Sequence, residues 1–202
     1  MTRLILIRHG QTEKNISGKL HQAGDSEILN KKGRKQMEKV ALRIKAMSPQ
    51  VIYSSTEKRA QESAKILSQE LNIPMEIIEG MQERNWGDFS GKTWPEVKAV
   101  LDPMTLEQRY TYIPPNGESW KEFEYRLINS VKKILKESYN KTVVIVSHAG
   151  AIRALMPYLL NAPKEESFKY NPANASISVF DYTGKKFIKR LIDDTSHLGD
   201  SR

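Results

Sequence analysis

Two continuous runs of apolar residues stand out along the chain. Residues 3–8 (RLILIR) and the stretch TVVIVSHAG from Thr142 to Gly150 show no alternation, which is typical of strands buried on both faces of a parallel sheet. Shorter apolar runs, QVIYSS from Gln50 and MEIIE from Met75, predict two further strands. ASISVFDY and KKFIKRLID flank a Thr-Gly pair, and this pattern predicts a closing hairpin.

Between these strands, apolar residues recur at the spacing of an amphipathic helix. Asn30 suits the N-cap of the first helix, and Ser119 with Glu122 forms a capping-box pattern before the longest one. The predicted helices cover residues 31–47, 57–71, 120–138 and 151–160. Strands that alternate with helices predict an α/β fold, a three-layer α/β/α sandwich with a mostly parallel mixed sheet and one antiparallel strand.

Two stretches lack any such spacing. Residues 10–30 are polar and dotted with glycine, so we expect a loop there. Residues 81–118 interrupt the alternation of strands and helices and include two adjacent prolines, which are incompatible with regular structure. We expect residues 1–202 to form a single domain in which 81–118 is a small insertion over the carboxyl edge of the sheet.

Composition narrows the classes of function. The 202 residues include no cysteine, which excludes disulfides, a thiolate nucleophile and cysteine-based metal sites. No apolar run approaches the length of a membrane span, so we expect a cytoplasmic protein without membrane partners. The net charge of +8 favours anionic partners. Because the lysines alternate with glutamates on helices, a small phosphorylated metabolite is favoured over nucleic acid.

Both long apolar runs end in a histidine. His9 is followed by Gly10, and His148 is followed by Ala149 and Gly150. One histidine at a strand end is more often structural than catalytic. Here, however, two histidines follow the carboxyl ends of strands that we expect to be neighbours. Ligands bind at this edge of parallel sheets, so the pair indicates one shared crevice. The glycines let backbone amides approach a ligand, so Ala149 and Gly150 are candidate substrate-binding residues.

Charged residues converge on the same edge of the predicted sheet. Arg8 precedes His9, and Arg59 lies in the first turn of the helix that follows QVIYSS. We expect no excess of carboxylate beside them, so that the arginines and histidines form a phosphate pocket. Glu83 follows the third strand and is a candidate general acid. Taken alone, Arg59 is equally consistent with an exposed position on a helix, and Glu83 with an exposed position in a loop.

Five ordered blocks carry a family resemblance over nearly the whole chain: RHGQTEKN, SSTEKRAQESA, ERNWGDFSG, NGES and VSHAG. Together they resemble the histidine phosphatase superfamily in its phosphoglycerate mutase-like branch. The resemblance implies a phosphohistidine intermediate and catalysis that needs neither a metal nor another cofactor. In that scheme His9 is the nucleophile and Glu83 is the general acid and then the base. The phosphoryl oxygens are held by Arg8, Arg59 and His148.

The resemblance also suggests residues that bind substrate. Asn15 matches an asparagine that contacts phosphate in the family, and the loop around His21 and Gln22 corresponds to the substrate entrance. This loop departs from the family pattern, because the chain reads DSEILNKKG where many relatives read DSPLT. For His21, an exposed loop histidine is the alternative interpretation.

Several functions fit this pattern. The chain is shorter than the mutases of this branch, so we expect water to reach a phosphorylated His9 and the protein to act as a phosphatase on small phosphate monoesters. A cofactor-dependent phosphoglycerate mutase is the main alternative. A module that binds phosphate without turnover and a nucleic-acid binder are weaker alternatives. Sugar phosphates, nucleotide-loop phosphates and aryl phosphates all remain candidate substrates.

Overall fold

The computed structural model describes residues 1–21 and 24–199. Its centre is a six-stranded sheet with the strand order β3-β2-β4-β1-β5-β6. The strands are β1 (Thr2–Arg8), β2 (Val51–Ser54), β3 (Met75–Ile77), β4 (Thr142–Ser147), β5 (Ile177–Tyr182) and β6 (Phe187–Asp194).

The sheet has the predicted mixed topology. β1 pairs in parallel with β4, and β2 pairs in parallel with both β4 and β3. β5 runs antiparallel to β1 on one side and to β6 on the other. The predictions of a mostly parallel sheet, of one antiparallel strand and of β1 beside β4 are therefore confirmed.

Helices cover both faces of the sheet. They are α1 (Glu13–Ser17), α2 (Lys31–Lys45), α3 (Lys58–Leu71), α4 (Trp94–Leu101), α5 (Leu106–Thr111), α6 (Trp120–Glu137) and α7 (Ala149–Leu160). Leu4 and Leu6 of β1 belong to the core beneath α6 and α7, whereas Ile5 and Ile7 belong to the core beneath α2 and α3. Because successive side chains point to opposite faces, a strand covered on both faces needs an unbroken apolar run.

The segment 81–118 lies at the carboxyl edge of the sheet. Its beginning is held there by Ser147, whose hydroxyl donates to the carbonyl of Met81 over 2.7 Å. The segment contains a 3-10 turn (Gly87–Phe89), α4, α5 and a small apolar cluster of its own. That cluster comprises Trp86, Phe89, Val97 and Leu101.

The structure differs from the predictions in one loop and at some helix ends. The predicted loop 10–30 contains α1, whose N-cap Thr12 accepts from the backbone N–H of Asn15. α7 begins at Ala149, two residues before the predicted start, and α2 ends at Lys45. Among the described residues, no helix has the length and apolar character needed to span a membrane.

Candidate active site

Three parallel strands end at one edge of the sheet and deliver the predicted site residues together. Arg8, the last residue of β1, lies in register with Ser147 of β4. His9 and His148 follow directly, and their ring centroids are 5.3 Å apart. β2 ends at the same edge, and α3, the helix that follows it, carries Arg59.

His9 is buried, and one of its ring nitrogens has a fixed partner. Nδ1 lies 2.7 Å from the carbonyl oxygen of Gly10, and because a carbonyl can only accept, Nδ1 carries the proton and Nε2 keeps its lone pair. Burial lowers the pKa of His9 well below its usual value, and the positive charges of Arg59, His148 and Arg8 lower it further. The imidazole is therefore neutral at physiological pH.

His148 is fully buried and is held through one nitrogen only. Its Nε2 lies 2.5 Å from a carboxylate oxygen of Glu57 and 2.9 Å from the hydroxyl of Ser55. Its Nδ1 is buried without a hydrogen-bond partner among the described residues. A buried polar atom without a partner is uncommon in a folded protein, so Nδ1 is available for a ligand.

Arg8 and Arg59 each also have a buried nitrogen without a hydrogen-bond partner among the residues that the structure describes. Arg8 donates from Nη1 to the carbonyl of Pro172 over 2.8 Å. Arg59, which is fully buried, donates to Asp25 over 3.2 Å and to Glu57 over 3.1 Å. In the described part of the chain, the Nε atoms of both arginines are buried without partners. Burial and the charge of Arg59 lower the pKa of Arg8 to about 10, and the guanidinium remains charged at neutral pH.

The carboxylates around Arg59 correct one expectation from the sequence. We predicted no excess of carboxylate near the arginines, but Asp25 and Glu57 both pair with Arg59. A fully buried guanidinium needs such partners, because an uncompensated charge in the interior is strongly destabilising. Arg59 is therefore a paired cation rather than a free one.

Glu57 is a site residue that sequence analysis missed. Burial alone would raise the pKa of its carboxyl group, but the charge of His148, its hydrogen bond and the charge of Arg59 lower the pKa below its ordinary value. The backbone N–H of Glu83 also donates to Glu57 over 3.1 Å. One carboxylate thus connects three of the residues that were predicted to be catalytic.

Glu83 lies against the beginning of α7. Its carboxylate accepts from the backbone N–H of Gly150 over 2.9 Å. A Cβ atom at position 150 would lie 2.2 Å from an oxygen of Glu83, so the close approach requires glycine at this point. Gly150 therefore sets the position of Glu83, and Ala149 beside it is the first residue of α7.

Asn15, another residue that was predicted to bind substrate, is connected to the backbone of His9 through Asn174. Asn15 accepts from the side-chain amide of Asn174 over 2.9 Å, and Asn174 also donates to the carbonyl of His9 over 3.2 Å. No pattern in the sequence marks Asn174, because it lies in an irregular segment distant from the RHG block.

His21 lies beside His9 rather than in an exposed loop. Its ring centroid is 5.9 Å from that of His9, and its Nε2 is 3.2 Å from the hydroxyl of Thr12. Burial and the charge of Arg59 lower the pKa of His21 to about 3. Gln22, the other residue predicted in this loop, lies outside the described residues.

These groups together form a site suited to a tetrahedral oxyanion. A neutral imidazole nitrogen lies among buried cationic or neutral donors, with a carboxyl group at one side. Such an arrangement stabilises charge that is spread over several oxygens. Within residues 1–21 and 24–199, no group of three or more His, Asp or Glu side chains is arranged to hold a metal ion.

Comparison with known proteins identifies relatives along the whole chain. A metal-independent phosphoserine phosphatase of Arabidopsis thaliana is 32% identical over 206 residues, which cover 98% of this chain and 84% of the relative. A broad-specificity phosphatase of Saccharomyces cerevisiae is 30% identical, with 98% of this chain and 88% of the relative covered.

Solved structures show the same similarity. Bacillus stearothermophilus YhfR superposes with a TM-score of 0.85 at 28% identity, covering 98% of this chain and 100% of its own. The phosphoserine phosphatase of Entamoeba histolytica, solved with 3-phosphoglyceric acid, gives a TM-score of 0.84 at 28% identity, with 98% and 100% covered. The family model of the histidine phosphatase superfamily (branch 1) matches residues 4–195. This chain belongs to that superfamily.

Proposed function

We propose that the protein is a metal-independent phosphatase that hydrolyses small phosphate monoesters through a phosphohistidine on His9. The observation that carries this proposal is the set of buried, unpartnered donors around a neutral imidazole. These are Arg8 Nε and Arg59 Nε, together with His148 Nδ1, which donates when the ring carries a proton on both nitrogens. A phosphoryl group bound among them would supply the acceptors that they lack.

In the first step, the Nε2 lone pair of His9 attacks phosphorus while the bond from phosphorus to the ester oxygen breaks. The proton on Nδ1 stays in its hydrogen bond to Gly10. Glu83 donates a proton to the leaving oxygen, so that the product departs as an alcohol. In the second step, the Glu83 carboxylate takes a proton from water, the water oxygen attacks phosphorus, and the bond between phosphorus and Nε2 breaks with its electron pair returning to Nε2. Inorganic phosphate leaves and His9 is neutral again.

The cations act on the transition state. As the phosphoryl group transfers, negative charge spreads over its equatorial oxygens, and preorganised donors around these oxygens supply most of the catalysis. We assign Arg8, Arg59 and His148 to this role and Asn15 to a supporting contact with phosphate. His21, Ala149 and Gly150 border the space for the rest of the substrate.

The names of the relatives support this class of substrate. The Arabidopsis and Entamoeba proteins are called phosphoserine phosphatases, and the yeast protein is called a broad-specificity phosphatase. We therefore propose small phosphorylated metabolites as substrates. We propose the cytoplasm as the location of the protein.

The decisive experiment measures phosphate release from an aryl phosphate in excess chelator. We expect activity in the wild type and a loss of at least about 10³-fold in His9→Ala. His197→Ala is the control, since this histidine follows β6, contacts the carbonyl of Ala175 and has no role in the proposed mechanism. Quenching in alkali should trap a phosphoramidate signal in the wild type and in His197→Ala, but not in His9→Ala.

Three outcomes would contradict the proposal. Activity that survives in His9→Ala would exclude a phosphohistidine at this residue. Conversion of 3-phosphoglycerate to its isomer, without release of phosphate, would favour the mutase alternative. Binding of phosphate without any turnover would favour a binding module.

A further inference from the structure

Arg153 is a cation next to the proposed active site that the mechanism above does not use. It lies on α7, three residues after Gly150, whose backbone N–H binds Glu83. Residues three apart on a helix share one face, so Arg153 extends from the same side of α7 that contacts the proposed acid.

Its contacts place it beside Arg8 as well. Arg153 Nη2 donates to the side chain of Asn171 over 3.0 Å, and Arg8 Nη1 donates to the carbonyl of the next residue, Pro172, over 2.8 Å. One short segment of coil therefore holds both guanidinium groups. The two like charges lie close enough that Arg153 lowers the pKa of Arg8.

The Arg153 guanidinium is incompletely satisfied. Its Nε is buried without a hydrogen-bond partner, and in the part of the chain that the structure describes it forms no ion pair within 4.0 Å. Burial lowers the pKa of Arg153, and the nearby charge of Glu83 opposes this effect. A half-buried arginine whose Nε has no partner is suited to a planar anion. It binds such an anion through two parallel hydrogen bonds.

We propose that Arg153 binds a carboxylate group carried by the alcohol portion of the substrate and so determines specificity. The inference rests on the proposed function. Glu83 protonates the leaving oxygen, so the space beyond Glu83 receives the alcohol and not the phosphoryl group. Arg8 is already engaged by the phosphoryl oxygens in that mechanism, which leaves Arg153 for the second anion.

The test uses two substrates that differ in this group alone. O-Phosphoserine carries a carboxylate, and O-phosphoethanolamine has the same ester and ammonium groups without it. We expect the wild type to favour O-phosphoserine in kcat/KM by at least about 10-fold, the usual value of a charge-assisted pair. Arg153→Gln should lower kcat/KM for O-phosphoserine by about 10- to 100-fold and for O-phosphoethanolamine by less than about 3-fold.

Two further variants serve as controls. Arg43→Gln removes one positive charge near the end of α2, where Arg43 pairs with Asp194 over 3.4 Å, and it should leave the preference between the two substrates unchanged. Arg153→Lys keeps the charge but loses the planar fork, so it should retain part of the preference. It also provides the test if circular dichroism shows that Arg153→Gln does not fold.

Equal losses on both substrates, or a wild type without preference, would overturn the role of Arg153. A larger loss on a bisphosphate than on O-phosphoserine would overturn the assignment to a carboxylate. Failure of the proposed function is distinguishable from both results, because the wild type would then release phosphate from neither substrate nor from an aryl phosphate.

Discussion

At the scale of single residues, a single carbonyl determines the chemistry of His9. The carbonyl of Gly10 accepts a hydrogen bond from the N–H of Nδ1, and this contact leaves the lone pair of the neutral ring on Nε2. Burial and the surrounding positive charges keep the ring neutral. Nucleophilicity therefore depends on a local hydrogen bond, whereas the protonation state depends on groups from several strands.

The role of Glu83 can be tested through the leaving group. Glu83→Gln removes the proton donor, so we expect a loss of about 10²- to 10⁴-fold on an alkyl phosphate. On an aryl phosphate, whose leaving oxygen needs no proton, the loss in kcat/KM, which does not include the later hydrolysis of the phosphohistidine, should be less than about 10-fold. Phosphate release from both substrates measures the difference, with the exposed Glu79→Gln as the control. Equal losses would mean that Glu83 is not the acid.

Glu57 offers a second test at this scale, as a positioning residue. Glu57→Gln keeps the size of the side chain but removes the charge that holds His148 and Arg59. Since both partners are then displaced from the transferring phosphoryl group, kcat should fall by about 10- to 100-fold. KM should change by less than about 3-fold.

Glu62→Gln is the matched control for Glu57, because it makes the same change on α3 at a more exposed ion pair with Arg34. Its kcat should stay within about twofold of the wild type. If Glu57→Gln behaved in the same way, Glu57 would have a structural role only.

Sequence analysis located most of the residues that the structure brings together, but it missed Glu57 and Arg153 for identifiable reasons. Glu57 precedes a helix, where glutamate is usually solvated. Nothing in its neighbourhood indicates that a histidine from β4 will cover it. Arg153 is hidden in the apolar pattern of α7, and only the fold shows that its face is the one beside Glu83.

At the scale of elements, two glycines join β1 to α2. A Cβ on Gly10 would lie 2.5 Å from the carbonyl oxygen of Gly33, and a Cβ on Gly33 would lie 2.2 Å from that of Gln11. These are contacts between backbones, which cannot relax by turning a side chain. The loop that carries His9 is therefore supported directly by the first turn of α2.

Gly33→Ala tests this contact. In an ordinary helix the change would stabilise the protein by about 1 kcal/mol, but here the steric overlap should lower the free energy of unfolding by about 1–3 kcal/mol. Urea denaturation measures this value, and Lys35→Ala on the exposed face of α2 should change it by less than about 0.5 kcal/mol. A stabilised Gly33→Ala variant would show that the backbones are not in firm contact.

The elements themselves were predictable where the pattern was long. The buried runs of β1 and β4 and the helical spacing of α2, α3 and α6 specified these elements closely, because each extends over several repeats. α1 was missed because its five residues are too few to show a period. The start of α7 was placed too late, since its first residues are small and form part of the site.

At the scale of the whole molecule, folding makes three histidines harder to protonate. The pKa values of His9 and His21 are lowered chiefly by burial, as is that of His197. In the unfolded chain each would titrate near 6.5. Below that pH the unfolded state binds protons that the native state excludes, so stability is complete above pH 6.5 and is lost as the pH falls.

For the buried His9, the free energy of unfolding should decrease by about 2 kcal/mol between pH 7 and pH 5. The more exposed His21 and His197 contribute less. Carboxyl groups whose pKa is lowered, such as that of Asp181, affect stability only below about pH 4.5. The decrease between pH 7 and pH 5 is therefore due to the histidines. Urea denaturation across the window should show the decrease, and His9→Gln should reduce it. An unchanged pH dependence in that variant would contradict the assignment.

The central position of β1 also affects how the chain is made. Leu4 pairs with Val143 on one side and with Phe180 on the other, so a ribosome synthesises this strand long before either partner. An apolar segment that stays unpaired for most of synthesis is exposed to aggregation. The sheet around β1, and with it the site at the strand ends, therefore forms only after β4 and β5 have emerged.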